Sequence, residues 1–128
     1  MKNAITTAMI AVLLTSAAAA YAGTRAQVQV TVNATSRYAY GAMADARGSA
    51  DTVQQINCAT NTTLANCWMV NSAGVGGSCY TTDPAMINVI RGISGESYVY
   101  IKWNTDGSCS YVLVQNSSFM KPGAVSGY

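Results

Sequence analysis

Apolar and polar residues alternate with a period of two in several short stretches of the chain. In residues 26–33, AQVQVTVN, three valines face one side while glutamine, threonine and asparagine face the other, which is typical of a half-buried strand. The alternation resumes in residues 37–43, RYAYGAM, where Gly41 is the expected bend. The first stretch predicts a strand, and the second is interpreted as an extension of that strand around a bend.

Two further strands are predicted before the pattern changes. Residues 52–60, TVQQINCAT, alternate imperfectly, which suggests a bulge or a change of register. Residues 66–72, NCWMVNS, are expected to form the third strand. The polar residues 44–51 between the first two strands, and the three-glycine segment AGVGGS at 73–78, are interpreted as loops.

The period then changes to that of a helix in TTDPAMINVIRGISG, residues 81–95. Thr82 or Asp83 is suited to the N-cap and Pro84 to the first helical position. Glycines at 92 and 95 supply the stop signal. The apolar stripe of this short amphipathic helix is expected to face the core; its members are Met86, Val89, Ile90 and Ile93.

The last regular segment is the hairpin YVYIKWNTDGSCSYVLV, residues 98–114. Asp106-Gly107 is a strong two-residue turn, because glycine adopts positive φ at little cost. Centring the hairpin there predicts a core face of Val99, Ile101, Trp103, Val112 and Val114. The opposite face then carries Tyr98 opposite Gln115, Tyr100 opposite Leu113, and Lys102 opposite Tyr111.

The order of three strands, one helix and two strands predicts a mainly β, small α+β domain. We expect a five-stranded antiparallel barrel of the oligonucleotide/oligosaccharide-binding type, with the single helix between strands 3 and 4. An open antiparallel sheet with one helix packed across it is the alternative.

Residues 1–22 have the features of a secretory signal peptide. Lys2 is followed by the apolar run AITTAMIAVLL and a small-x-small site that ends at Ala22. The apolar run is shorter than the ~20 residues that span a bilayer, so no membrane span is expected after cleavage. The division predicted is a signal peptide at 1–22, one β-rich domain at 23–121 and a flexible tail at 122–128.

The charge balance argues against nucleic acid as a partner. With Lys2 removed from the seven basic residues, six remain against five acidic ones. The remaining cations are scattered along the chain, whereas phosphate binding relies on clustered Lys and Arg. Polar uncharged residues therefore provide most of the solubility.

Four cysteines and no histidine are present. An even number of cysteines in a small exported chain predicts two disulfides, and a zinc site is disfavoured without a C-x-x-C pair. Three pairings are possible. We favour Cys58–Cys67, which closes a short hairpin-like loop, and Cys79–Cys109, which ties the segment before the helix to the last hairpin.

A resemblance supports the exported location. The stretch ARGSADTVQQINC (Ala46–Cys58), the tryptophan and Asp-Gly-x-Cys of the last hairpin, and NSS (Asn116–Ser118) resemble a group of small exported bacterial proteins. No activity is assigned to that group, so the resemblance implies no functional residue. It is in keeping with a bacterial protein that is secreted or periplasmic.

Candidate catalytic residues are few. Without histidine there is no Ser-His or Cys-His couple and none of the usual general bases. Of the five acidic residues, only Asp45 and Asp51 lie close in sequence, with Arg47 between them. A glycosidase carboxylate pair is conceivable, but a solvated loop with an ion pair explains these residues better. We therefore expect no enzymatic activity, no cofactor and no metal.

The aromatic face of the last hairpin is the main functional candidate. Tyrosine offers broad, rigid, amphipathic contact area and stacks on sugars or on protein side chains. Tyr98, Tyr100, Lys102 and Tyr111 are therefore the predicted binding residues. Tyrosine is also favoured in strands for purely structural reasons, and we expect Trp68 and Trp103 to be core. Two functions remain: an exported module that binds a glycan or a protein, or a structural subunit that self-associates through the same face or an edge strand.

Overall fold

The computed structural model describes residues 26–120, and its strands form two antiparallel sheets. The elements in chain order are β1 (Thr31–Asn33), β2 (Tyr38–Ala42), α1 (Met43–Arg47), β3 (Gln55–Thr60), β4 (Ala65–Val70), β5 (Gly76–Thr81), α2 (Pro84–Arg91), β6 (Tyr98–Trp103), β7 (Cys109–Gln115) and a 3₁₀ turn (Ser118–Met120).

The larger sheet has four strands in the order β1-β2-β6-β7. The β6–β7 hairpin has the predicted register from Tyr98 opposite Gln115 to Lys102 opposite Tyr111. The register then shifts, so that Trp103 pairs with Cys109 and not with Ser110 as predicted. The shift follows from a wider turn, in which the Gly107 N–H donates to the Asn104 carbonyl and Gly107 has a φ of 84°.

The smaller sheet is a three-stranded meander in the order β3-β4-β5. Its last strand includes Gly76 and Gly77, which lie in the segment predicted as a flexible loop. That prediction is wrong for residues 76–78. Glycine is permitted in the strand because its missing side chain leaves room for rings: a Cβ on Gly77 would lie 2.5 Å from the Trp103 indole.

The two sheets pack face to face and do not close into a barrel. The prediction of a five-stranded barrel is therefore wrong. Helix α2 lies between β5 and β6, the fifth and sixth strands, and not between strands 3 and 4 as predicted. The coarser prediction, a mainly β fold with one short amphipathic helix and two disulfides, is confirmed. A single parallel bridge between Tyr80 and Ser108 joins the sheets along one side.

The core lies between the sheets and under α2. Val99 and Ile101 of β6 are fully buried, as predicted, and they face Cys67 and Met69 of β4. The remaining buried members of this cluster are Val30, Ala39, Ala46, Ala65, Cys79, Ile87, Ile90 and Cys109. Alternation in β2, β4 and β6 sends the intervening side chains to the outside of the molecule.

Helix α2 begins where the capping signals predict. The Asp83 carboxylate accepts a hydrogen bond from the Ala85 N–H at 2.8 Å, and Pro84 is the first helical residue. The predicted apolar stripe is partly wrong, because Val89 is 40 % exposed and Ile87, which lies outside that stripe, is buried. The helix packs against β3, β4 and β7.

The segment predicted as a polar loop at 44–51 begins as helix α1 instead. Asp45 is buried, and its carboxylate accepts a hydrogen bond from the Val28 N–H at 2.7 Å. This bond gives the buried carboxylate a backbone donor. Asp45 is therefore not part of a solvated loop.

Both disulfides have the pairing that we favoured from the sequence. Cys58–Cys67 joins β3 to β4, and Cys79–Cys109 joins β5 of the smaller sheet to β7 of the larger one. Each bond contributes about 2–4 kcal/mol by restricting the unfolded chain.

No helix within residues 26–120 is long and apolar enough to span a bilayer. The predicted signal peptide and C-terminal tail lie outside the described residues.

Candidate functional site

The outer face of the four-stranded sheet carries five of the eight tyrosines in the chain. This surface, here named the tyrosine face, consists of Tyr38, Tyr40, Tyr98, Tyr100, Lys102 and Tyr111. It contains all four residues that the sequence predicts as a binding set, and the structure brings them together.

Strand pairing adds two tyrosines that the sequence analysis missed. The β2–β6 register places Tyr38 opposite Lys102 and Tyr40 opposite Tyr100. The two side chains are separated by one residue in RYAYGAM, so the sequence indicates that they share a face. It gives no sign that this face continues the one on the last hairpin, because β2 and β6 are far apart in the chain.

The rings form a connected array with centroid distances near 6 Å. Tyr38, Tyr40 and Tyr100 are nearly parallel to one another, with interplanar angles of 9–13°. Tyr98 is tilted by 38° from Tyr40 at 6.1 Å, and Tyr111 meets Tyr100 edge-on at 5.9 Å. These distances lie within the preferred range for aromatic pairs, so each ring is held in place by its neighbours.

Beside this array is a shallow hollow of about 560 Å³, lined by Tyr98, Tyr100, Lys102, Ser110, Tyr111 and Leu113. Tyr111 is 48 % exposed, whereas the other four tyrosines are half-buried. Lys102 is exposed, and it is the one cationic side chain in this lining. The hollow therefore combines apolar ring surface with a hydroxyl and an amine at its edge.

Two phenols of the tyrosine face are perturbed. Burial raises the pKa of Tyr98 and of Tyr100 above the ordinary value of 10.0, and the neighbouring tyrosines add to the effect. A phenol whose pKa is raised stays protonated near neutral pH, so it can both donate and accept a hydrogen bond. The face is therefore suited to hydrogen bonding and stacking, not to nucleophilic chemistry.

A second concave site lies where the ends of the two sheets meet. This open groove, here named the tryptophan groove, has a volume of about 660 Å³. It is lined by Ala34, Arg37, Trp68, Gly76, Gly77, Ser78, Trp103, Asn104, Thr105 and Gly107. Trp103 is half-buried against the core, but Trp68 is 40 % exposed, so the prediction that Trp68 is core is wrong.

Asp51 and Asp106 each accept hydrogen bonds from nearby residues. Asp51 accepts hydrogen bonds from the backbone of Val53 and Gln54 and from the Gln54 amide, and these bonds lower its pKa to about 2. Asp106 accepts from Ser108 within the hairpin turn. In the described part of the chain, no three Asp, Glu or Cys side chains are grouped as a metal site would need.

No family model matches the chain, and neither a curated protein nor a solved structure is significantly similar to it. A function has therefore to be argued from the two surfaces themselves.

Proposed function

We propose that this protein is an exported binding module, without chemistry of its own, that recognises a glycan through the tyrosine face. The observation that carries the proposal is the connected array of five rings on one outer sheet face. A protein ligand is the second possibility for the same surface.

The composition of the face favours a glycan. Sugars present apolar C–H surfaces that pack on aromatic rings and hydroxyls that need hydrogen-bond partners, and tyrosine offers both in one side chain. Ser110 and Lys102 add polar groups beside the rings. The rings are also pre-positioned by mutual contact, which reduces the entropy lost on binding.

Export supports a role outside the cytoplasm. The sequence begins with a pattern typical of a signal peptide, and two disulfides are in keeping with an oxidising compartment such as the periplasm or the medium. Glycans of the cell envelope or of a host surface are the ligands available there.

The test uses the full-length secreted protein with both disulfides intact. A glycan array identifies the best-bound sugar, and calorimetry then measures its affinity. Tyr111→Thr should weaken binding by about tenfold, because the loss of one stacked ring costs about 1–1.5 kcal/mol. Lys102→Gln combined with Tyr100→Ser should abolish binding and retain the folded state.

The matched control is Tyr80→Thr. Tyr80 is 46 % exposed, almost as much as Tyr111, but it lies on β5 outside the tyrosine face. If Tyr80→Thr weakens glycan binding as much as Tyr111→Thr, or if the Tyr100 and Lys102 double variant unfolds, the face is structural and the proposal fails. Capture of a protein and no glycan would support the second possibility.

Self-association is a competing function for the same surface. It is favoured by Tyr111, because this highly exposed ring lies on β7, an outer strand of its sheet. Light scattering across a concentration series separates the two functions. A mass that stays monomeric at all concentrations excludes self-association, whereas a dimer that Tyr111→Thr dissociates supports it.

A further inference from the structure

The tryptophan groove has its own ligand chemistry, separate from that of the tyrosine face. We propose that it is a second binding site, which takes an acidic saccharide such as a uronic-acid oligosaccharide. Its volume of about 660 Å³ lies within the range of about 300–1,000 Å³ found for small-molecule sites.

One wall of the groove is an exposed indole. Trp68 lies on β4, and its Nε1 atom would be 3.3 Å from a Cβ added to Gly76. Glycine therefore leaves the β5 side of the ring without a side chain, and 40 % of the Trp68 surface stays accessible. An aromatic ring that is open to solvent can stack on the apolar face of a sugar.

The cation of the groove is Arg37, whose side chain is exposed. Its guanidinium makes no hydrogen bond or ion pair with another residue in the range 26–120. Arg37 has a φ of 51°, a backbone conformation that is uncommon for a long side chain. Strain of this kind is often kept where a side chain must be aimed at a ligand.

The backbone at Arg37 is joined to that of Trp103, because the Arg37 carbonyl accepts a hydrogen bond from the Trp103 main-chain N–H at 3.1 Å. Arg37, Trp68 and Trp103 line the same groove. A guanidinium presents two parallel N–H donors, which match a carboxylate and account for the choice of an acidic sugar over a neutral one.

The rest of the lining contains three polar side chains and no carboxylate. Ser78, Asn104 and Thr105 supply groups that can hydrogen-bond sugar hydroxyls. The nearest acid in sequence, Asp106, is engaged with the Ser108 N–H and hydroxyl at 2.9 and 2.6 Å. The groove thus offers stacking, one anion contact and hydroxyl recognition together.

The test is calorimetry on the oxidised protein with trigalacturonate and an unsulfated chondroitin tetrasaccharide as acidic probes. Galactotriose is the neutral probe and tri-aspartate the acidic non-sugar. We expect at least one acidic saccharide to bind, with an affinity about tenfold or more above that of galactotriose. Arg37→Gln should remove about tenfold or more of that affinity, and added salt should weaken binding as well.

The matched control is Arg47→Gln, which removes the same charge from α1, where the guanidinium makes only a 3.3 Å bond to the Gly95 carbonyl. Trp68→Leu should also lose affinity for the acidic saccharide, while its melting temperature stays close to that of the wild type. The proposal is overturned if neither acidic saccharide binds, if tri-aspartate binds equally well, or if Arg37→Gln and Arg47→Gln have the same effect. Tyr111→Thr should leave binding of the acidic probe unchanged. Failure of this proposal can therefore be told apart from failure of the proposal for the tyrosine face.

Discussion

The contact between Gly77 and Trp103 allows a quantitative test of how the two sheets fit together. A Cβ built on Gly77 would lie 2.5 Å from Cη2 and 3.2 Å from Cζ3 of the Trp103 ring, and 3.1 Å from a Val32 methyl. Carbon atoms in normal contact are about 3.5–4.0 Å apart. Gly77→Ala therefore forces the indole or the β5 backbone to move by about 1 Å.

The expected loss of stability is the difference between two terms. Overpacking of this kind costs about 1–3 kcal/mol, and the indole cannot move freely because it is packed against the core. Replacing glycine with alanine offsets about 0.4–1 kcal/mol by restricting the unfolded chain. We therefore expect Gly77→Ala to lower the free energy of unfolding by about 1–2 kcal/mol.

The assay is urea denaturation of the oxidised protein, with Gly76→Ala as the neighbouring control. A Cβ on Gly76 approaches the exposed Trp68 ring at 3.3 Å, and that ring can shift, so we expect a change within about 0.5 kcal/mol. Trp103→Phe removes the two ring atoms that clash. Gly77→Ala should therefore cost about 1 kcal/mol less in that background. Equal stabilities for Gly77→Ala and Gly76→Ala would refute the reasoning.

Three further predictions concern pH and backbone strain. Because the folded-state pKa values of Tyr98 and Tyr100 are raised above 10.0, the stabilisation due to these two phenols should be complete below pH 10 and be lost as the pH rises through those values. Denaturation and phenolate absorbance against pH would show this loss, and a profile that stays flat above pH 10 would contradict it. The Asp51 pKa is lowered from 3.8 to about 2, so the contribution of this carboxylate to the stability of the fold is present above pH 3.8 and lost as the pH falls to about 2. If Asp51→Asn leaves the stability unchanged across this acid range, the reasoning is wrong. Thr52 is β-branched with a φ of 57°, and Thr52→Asn should raise stability by about 1 kcal/mol in a thermal melt, whereas a lower melting temperature would show that no strain is present.

Local signals in the sequence were sufficient for the last hairpin and for helix α2. The Asp-Gly turn and strict alternation fix the Tyr98–Lys102 register against β7, and an aspartate cap with a following proline fixes the helix start. These features depend on residues that are neighbours in the chain. The shift at Trp103 could not be foreseen, because it depends on hydrogen bonding within the turn.

Features that depend on distant residues were missed. The glycines of β5 indicate a loop in the sequence, and their fit against the Trp103 ring is seen only in the fold. The burial of Asp45 on α1 likewise involves a distant partner, the Val28 N–H. Two of the six residues of the tyrosine face were missed for the same reason. The sequence shows which residues of β6 and β7 share a face, but not that β2 lies beside β6. Likewise, strand order alone does not determine whether sheets close into a barrel.

The strand order of the larger sheet has a consequence for how the protein matures. Its two halves are separated in the chain by the whole β3–β5 meander and α2, so β2 cannot pair until β6 has been synthesised. The meander is local and can form early, whereas the β2–β6 pairing requires closure of a long loop and is slow. The tyrosine face, which spans both halves, is therefore the last part of the larger sheet to be assembled.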